Sequence, residues 1–230
     1  MAEGSPQPDV FWAVEKPMLR TAAIALVFLF ALELVAYYGF FRGVPGFFAA
    51  YGYYIALLVV AVVGNSIAVW HIKAYRQSFS HTIGMMIGMT IGMSAGFTIG
   101  MLLGATNGMF IGSIAGTLIG MLAGSYAGNC CGLMGAMEGM MAGLMGGTMG
   151  AMVSVMTLND HVRILVPLLT GIVLVIIIGL LVMIYQEEIR NRPHARYQGY
   201  PLLPFLTVLF IITMSLTFVM VYGPRSLLFG

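Results

Sequence analysis

Cys130 and Cys131 open a run of sulfur donors that continues through Met134, Met141, Met145, Met149, Met152 and Met156, with Glu138 among them. Wound as a helix with Glu138 at zero, Cys131 and all six of these methionines fall within about 60° of the carboxylate. Glycines 132, 135, 139, 143, 146, 147 and 150 fall between roughly 60° and 180° on one side. One face is therefore glycine, and a separate face carries thioethers, a thiol and a carboxylate. Thioether and thiolate donors select Cu(I) over harder ions. A row of weak methionine sites lets such an ion pass, because conduction needs sites that release as well as bind. On this reading Met134, Glu138, Met141, Met145 and Met149 line a metal path, and Cys130 and Cys131 accept or release the ion at one end. A blander reading makes methionine a flexible gap-filler beside the glycines. Met85, Met86, Met89 and Met93 form a second group just after His81.

Glu138 is the sharpest single residue. An ionisable group within a membrane span costs about 2.5–3.5 kcal/mol on insertion scales and signals function by default. It also admits a different reading, a proton or cation channel centred on that carboxylate. Glu33 raises the same question in the first apolar run, without methionine company. Asn65 is expected to bridge two helices, as buried Asn does in membrane bundles. His71 and His81 flank Lys73 and Arg76 and are expected to be solvated, and His194 sits in a charged loop with no role assigned. No Walker loop, H-E-x-x-H or G-x-S-x-G occurs, so no enzymatic activity is expected.

The elements that must hold these residues are membrane spans. Of 230 residues 60% are hydrophobic and 8% charged, against roughly 25% charged in soluble domains. A net charge of +2 on so apolar a chain argues against nucleic acid binding. The two cysteines are adjacent, and adjacent cysteines seldom bridge each other, so no disulfide framework is implied. Runs long enough to cross a bilayer fall at 20–41, 49–71, 82–105, 108–128, 131–157, 162–185 and 202–222. The first has the length of a true span and no small-residue cleavage site, so it reads as a retained helix.

Residues 81–157 would make one helix of roughly 115 Å, far too long for a bilayer, so turns are expected at Ala105-Thr106-Asn107-Gly108 and Gly128-Asn129-Cys130-Cys131. The whole chain, 1–230, then forms one all-α polytopic membrane domain with about seven spans. Residues 1–17 are a cytoplasmic segment, 82–157 a Gly/Met-rich helical repeat and 186–201 a cytoplasmic loop. This orientation places Lys16, Arg20, Lys73, Arg76, Arg190, Arg192 and Arg196 inside, and only Arg42, Arg163 and Arg225 outside. It implies a plasma membrane protein with a cytoplasmic N-terminus.

Glycine occupies every fourth position from 84 to 132, then slips register and resumes at 135, 139, 143, 147 and 150. In water each glycine costs a helix about 1 kcal/mol relative to alanine. In lipid, helix is the structure that satisfies its own backbone, and G-x-x-x-G faces let neighbouring backbones approach closely. Gly84, Gly88, Gly92, Gly96, Gly100, Gly112, Gly116, Gly120 and Gly124 are accordingly expected to be helix-packing residues of a glycine-zipper bundle.

The stretch Ala136-Met137-Glu138-Gly139-Met140-Met141-Ala142-Gly143-Leu144-Met145-Gly146-Gly147-Thr148-Met149-Gly150-Ala151-Met152 resembles glycine- and methionine-rich bacterial integral membrane proteins. Some of that group are associated with cupredoxin domains. The likeness spans about 75 residues, Thr82 to Met156, and brings no assigned activity with it. This chain has no cupredoxin domain of its own, so the copper expectation rests on the sulfur donors. The leading expectation is Cu(I) binding or transport. The alternatives are a structural or accessory subunit of a larger membrane complex or a homo-oligomer, and the channel through Glu138.

Overall fold

The computed structural model describes residues 8–36, 51–74, 81–129, 132–157, 161–184 and 202–224. They form seven helices in chain order: α1 (Pro8–Ala36), α2 (Tyr53–Ala74), α3 (His81–Asn107), α4 (Met109–Gly128), α5 (Leu133–Met156), α6 (Val162–Ile184) and α7 (Leu202–Tyr222). Six of them, α2 to α7, are long and apolar enough to cross a membrane, and α1 contributes the apolar stretch Ala23–Val35. The chain is an all-α, multi-pass membrane protein.

The long glycine-rich block breaks at two glycines. Gly108, at φ 89°, separates α3 from α4, and Gly132, at φ 85°, precedes α5. An L side chain is strained at such angles, and glycine is not. The first turn is also tied down. Asn107 Nδ2 donates to the carbonyls of Val219 (3.0 Å) and Met220 (3.4 Å) in the last turn of α7, where a helix end leaves carbonyls without intrahelical partners.

Glycine then decides how α3, α4 and α5 pack. Hypothetical Cβ atoms show which backbones touch. One at Gly88 would meet Gly135 O at 2.7 Å, one at Gly96 would meet Gly143 O at 2.7 Å, and one at Gly116 would meet Gly100 Cα at 2.7 Å. The neighbours fall into layers, each with one residue from each helix. These are Gly88, Gly128 and Gly135; Gly92, Gly124 and Gly139; Gly96, Gly120 and Gly143; Gly100, Gly116 and Gly147; and finally Gly104, Gly112 and Ala151. Position 84 joins through its carbonyl, 3.5 Å from a Cβ placed on Gly135. Within these layers α3 and α5 run parallel, and α4 runs antiparallel to both. From Gly88 to Gly104 the stack covers about 24 Å of helix, most of a roughly 30 Å hydrocarbon core.

The register slip after Gly132 has a structural reason. Glycines 135, 139, 143 and 147 of α5 meet the seam between α3 and α4, while Gly146 and Gly150 meet the α3 backbone at Met93 and Phe97. Helix α5 needs two small faces, and a single four-residue line supplies one.

The other four helices pack by ordinary side-chain interdigitation. Leu29, Leu58, Val59, Leu102, Leu103, Leu209 and Met220 are fully enclosed in one aliphatic core. Ile72, Ile87, Ile91, Ile177 and Ile184 belong to a second core nearer the other end of α2 and α3. Several polar groups at this depth are satisfied locally or across helices. Asn65 of α2 accepts from Ser94 Oγ of α3 at 2.6 Å and donates to Ala61 O at 2.9 Å, so it bridges helices. Thr90, Thr98, Thr170 and Thr213 each donate to the carbonyl four residues back, a common solution for hydroxyls in spans. Pro167 within α6 lacks the N–H that would reach Arg163 O. That carbonyl instead accepts from the Tyr53 hydroxyl of α2 at 3.0 Å.

Candidate functional site

The sulfur-rich row lies on α5 with its glycines turned inward. Gly135, Gly139, Gly143, Gly146, Gly147 and Gly150 are buried, whereas Met134, Met137, Met141, Met145, Met149, Met152 and Met156 are all exposed, Met141 at 65%. This geometry turns the thioethers outward. The methionines face away from the three-helix core, and that core is filled by backbone in direct contact, with no conduit along the glycine layers. The physical reason is competition for the seam. Only residues without side chains fit between α3, α4 and α5, so the bulky half of α5 must turn outward.

A second methionine row borders the first. Met86, Met89 and Met93 of α3 are exposed, and Met85 is half-buried. Gly146 packs on the backbone of Met93 and Gly150 on that of Phe97. In that parallel packing the exposed face of α3 that carries Met89 and Met93 lies beside the exposed face of α5. The α3–α5 groove is thus flanked by thioethers from both helices. The sequence shows the α3 group only as methionines near the same end. Its adjacency to α5 depends on the parallel register, which no local spacing encodes.

Glu138 is half-buried at the edge of this groove. No described residue hydrogen-bonds or ion-pairs with it. Glu33 has the opposite environment. It is 8% exposed, and Thr217 Oγ1 of α7 donates to its Oε1 at 3.0 Å. The second carboxylate is therefore a helix-bridging group.

His71 departs from expectation. It is 4% exposed, because α2 continues to Ala74 and holds position 71 inside the helical packing rather than in a solvated loop. Cys130 and Cys131, the expected entry ligands, lie outside the described residues, as do the loop 186–201 and His194. Among the described residues no three His, Cys, Asp or Glu side chains cluster to hold a metal.

The surface elsewhere differs in kind. The exposed residues of α6 are Ile164, Leu168, Ile172, Val175, Ile176 and Ile178, and those of α7 include Val208, Ile211 and Phe218. These are the residues ordinarily turned toward lipid. On α5 and on the exposed part of α3 methionine largely replaces them, although α5 also exposes Leu133 and Leu144 and α4 exposes Met109 at its start. No family model, curated protein or solved structure matches the chain.

Proposed function

We propose that the methionine face of α3 and α5, with Glu138 at its edge, binds a soft metal ion, Cu(I), and hands it on at the membrane. The observation that supports this is the concentration of exposed methionine on α3 and α5, ten residues against Met109 alone on the other described helices, while α6 and α7 expose mainly aliphatic side chains. Lipid contact alone asks only for apolar residues, and Leu or Ile satisfies it. Thioethers add soft-donor character that Leu lacks. Met89 and Met93 of α3 and Met141, Met145 and Met149 of α5, exposed on either side of the groove, would be the ligands, with Glu138 at its edge. Cys130 and Cys131 would exchange the ion at the end of α5 where Glu138 lies. The chain carries out no bond chemistry in this reading. It works in the plasma membrane with its N-terminus cytoplasmic, and the likeness to glycine- and methionine-rich bacterial membrane proteins fits the same role.

The test is anaerobic Cu(I) titration of purified protein against a chromophoric chelator. Wild type should bind stoichiometrically. A variant with Met141→Leu, Met145→Leu and Met149→Leu should lose at least tenfold in affinity with its fold intact, because Met-to-Leu swaps conserve volume. Equal binding by the two proteins, or none by either, removes the metal reading.

Glu138 favours a second reading, in which this face docks against another chain as part of a homo-oligomer or larger membrane complex. A carboxylate in a span ordinarily has a partner, and Glu138 has none among the described residues. Methionine surfaces also adapt to partners of varied shape. Blue-native electrophoresis in mild detergent should then show a defined assembly that Glu138→Leu dissociates. A monomer for both proteins argues against it.

A further inference from the structure

Helix α4 is drawn onto α3 and α5 by its glycines, while α7 packs mainly on α2. Between α4 and α7 a partly open cleft of about 1060 Å³ remains. Its floor is Ala95 and Ile99 of α3, and its long walls include Ile119 and Leu122 of α4 facing Ile212 and Leu216 of α7. Polar and amphipathic groups gather toward one end, where Trp70, Ser125, Tyr126 and Asn129 line it. Asn65 and Ser66 of α2 lie midway, and the opposite end is mostly aliphatic, with Val62, Ile99, Ile212 and Leu216 beside Ser215. The α7 wall runs from Phe205 to Leu216, about 16 Å of helix, which is half of a roughly 30 Å hydrocarbon core. The cleft therefore has the length of one leaflet. Its volume is at the top of the range, roughly 300–1,000 Å³, in which proteins hold small ligands.

We infer that this cleft is a lipid-binding site, taking one or more acyl chains of a membrane glycerolipid with the head group at the Trp70–Asn129 end. The gradient from aromatic and polar to aliphatic matches an amphiphile, since Trp and Tyr sit where head groups begin. A water-soluble ligand has no route to a slot walled by spans within the hydrocarbon. A transmembrane helix is excluded by size, because its diameter with side chains is about 10–12 Å and it would need the full bilayer depth. The inference is independent of the metal reading, because the cleft is on the α4–α7 side and contains no methionine.

The experiment uses the full chain in liposomes containing a phospholipid with a photoactivatable diazirine on one acyl chain, followed by peptide mass spectrometry. Labelling should concentrate on 119–126 of α4 and 208–216 of α7, at least fivefold above the lipid-exposed stretch 172–178 of α6. Two filling variants, Ala123→Trp from one wall and Ile212→Trp from the other, should each lower cleft labelling severalfold. Ile176→Trp, on the exposed face of α6, should leave it unchanged. Retained helical circular dichroism and a monodisperse elution peak identify the variants that fold. Labelling as strong on α6 as on the cleft walls in wild type overturns the inference even if neither filling variant folds. Unchanged cleft labelling in a folded filling variant overturns it as well.

Discussion

Two kinds of helix contact divide this molecule. Where α3, α4 and α5 meet, the interior is backbone against backbone, and the side chains of α4 and α5 are driven outward, while α3 turns Ile87, Ile91, Leu102 and Leu103 into the aliphatic cores. In α1, α2, α6 and α7 the interior is Leu, Ile and Val, and the outward surface is more of the same. The difference shows what the glycines accomplish. By removing the side chains from one face of α5 they fix which residues the other face presents, and on a helix held by backbone contact that face cannot easily rotate away. A side-chain-packed helix such as α6 has no comparable constraint, since its inward and outward residues are chemically alike.

The most destructive way to break this comparison is to place a side chain in a glycine layer. Gly120→Leu would drive its side chain into the Cα of Gly96 and of Gly143, where a single Cβ already stands 2.8 and 3.0 Å from those atoms. Overpacking costs typically about 1–3 kcal/mol, occasionally more, and backbone neighbours have few ways to move aside. Loss of folded protein is the expected outcome, read as aggregation on size-exclusion chromatography. Gly179→Leu in α6 is the control, because nothing stands within 4 Å of a Cβ there. It should retain wild-type thermal stability or exceed it, since α6 also gains helix propensity. Equal tolerance at both positions would mean that the layers do not hold the triad together.

Next in size is the contrast between the two carboxylates. Glu33→Ala removes the acceptor of Thr217 and leaves a space between α1 and α7. It should cost about 1 kcal/mol, since interhelical bonds in membranes average roughly 0.6 and reach about 1.7 kcal/mol. A thermal-shift assay in detergent should register that loss. Glu138→Ala should leave the same melting curve nearly unchanged, because no described residue bonds to it, while lowering Cu(I) affinity or dissociating an assembly. If the two variants melt alike and bind alike, the distinction between a bridging and a working carboxylate is lost.

The sequence made the spans, both turns and the interhelical role of Asn65 legible, each for a local reason. Apolar runs of about 20 residues have one outcome in a membrane, and Asn107-Gly108 could turn where Leu could not. The four-residue glycine spacing also marked a packing face. What spacing did not reveal was the partner of that face. A glycine row looks the same whether it meets one helix or two, so the three-helix layers and the parallel register of α3 with α5 stayed hidden. Nor does an angular wheel for α5 say what the methionine side of that helix meets. His71 was misjudged from the charges near it, Lys73 and Arg76, although the helix runs past it. The exposed methionines of α3 were visible as residues but not as neighbours of the α5 face.

The smallest test concerns α6, the helix on the aliphatic side of the comparison. Pro167 leaves the Arg163 carbonyl without its helical donor, and Tyr53 supplies one from α2. Tyr53→Phe keeps the ring and removes only that bond, so the cost should be a few tenths of a kcal/mol to about 0.6 kcal/mol. Pairing it with Pro167→Ala gives a double-mutant cycle. Alanine restores an N–H for the same carbonyl, so the Tyr53→Phe penalty should shrink when Ala occupies 167. An unchanged penalty would mean that the hydroxyl contributes through something other than the carbonyl freed by proline. The glycine triad offers no cycle of this kind, since its contacts have no side chain to remove. That asymmetry is the practical consequence of building one half of a membrane protein from backbone and the other from side chains.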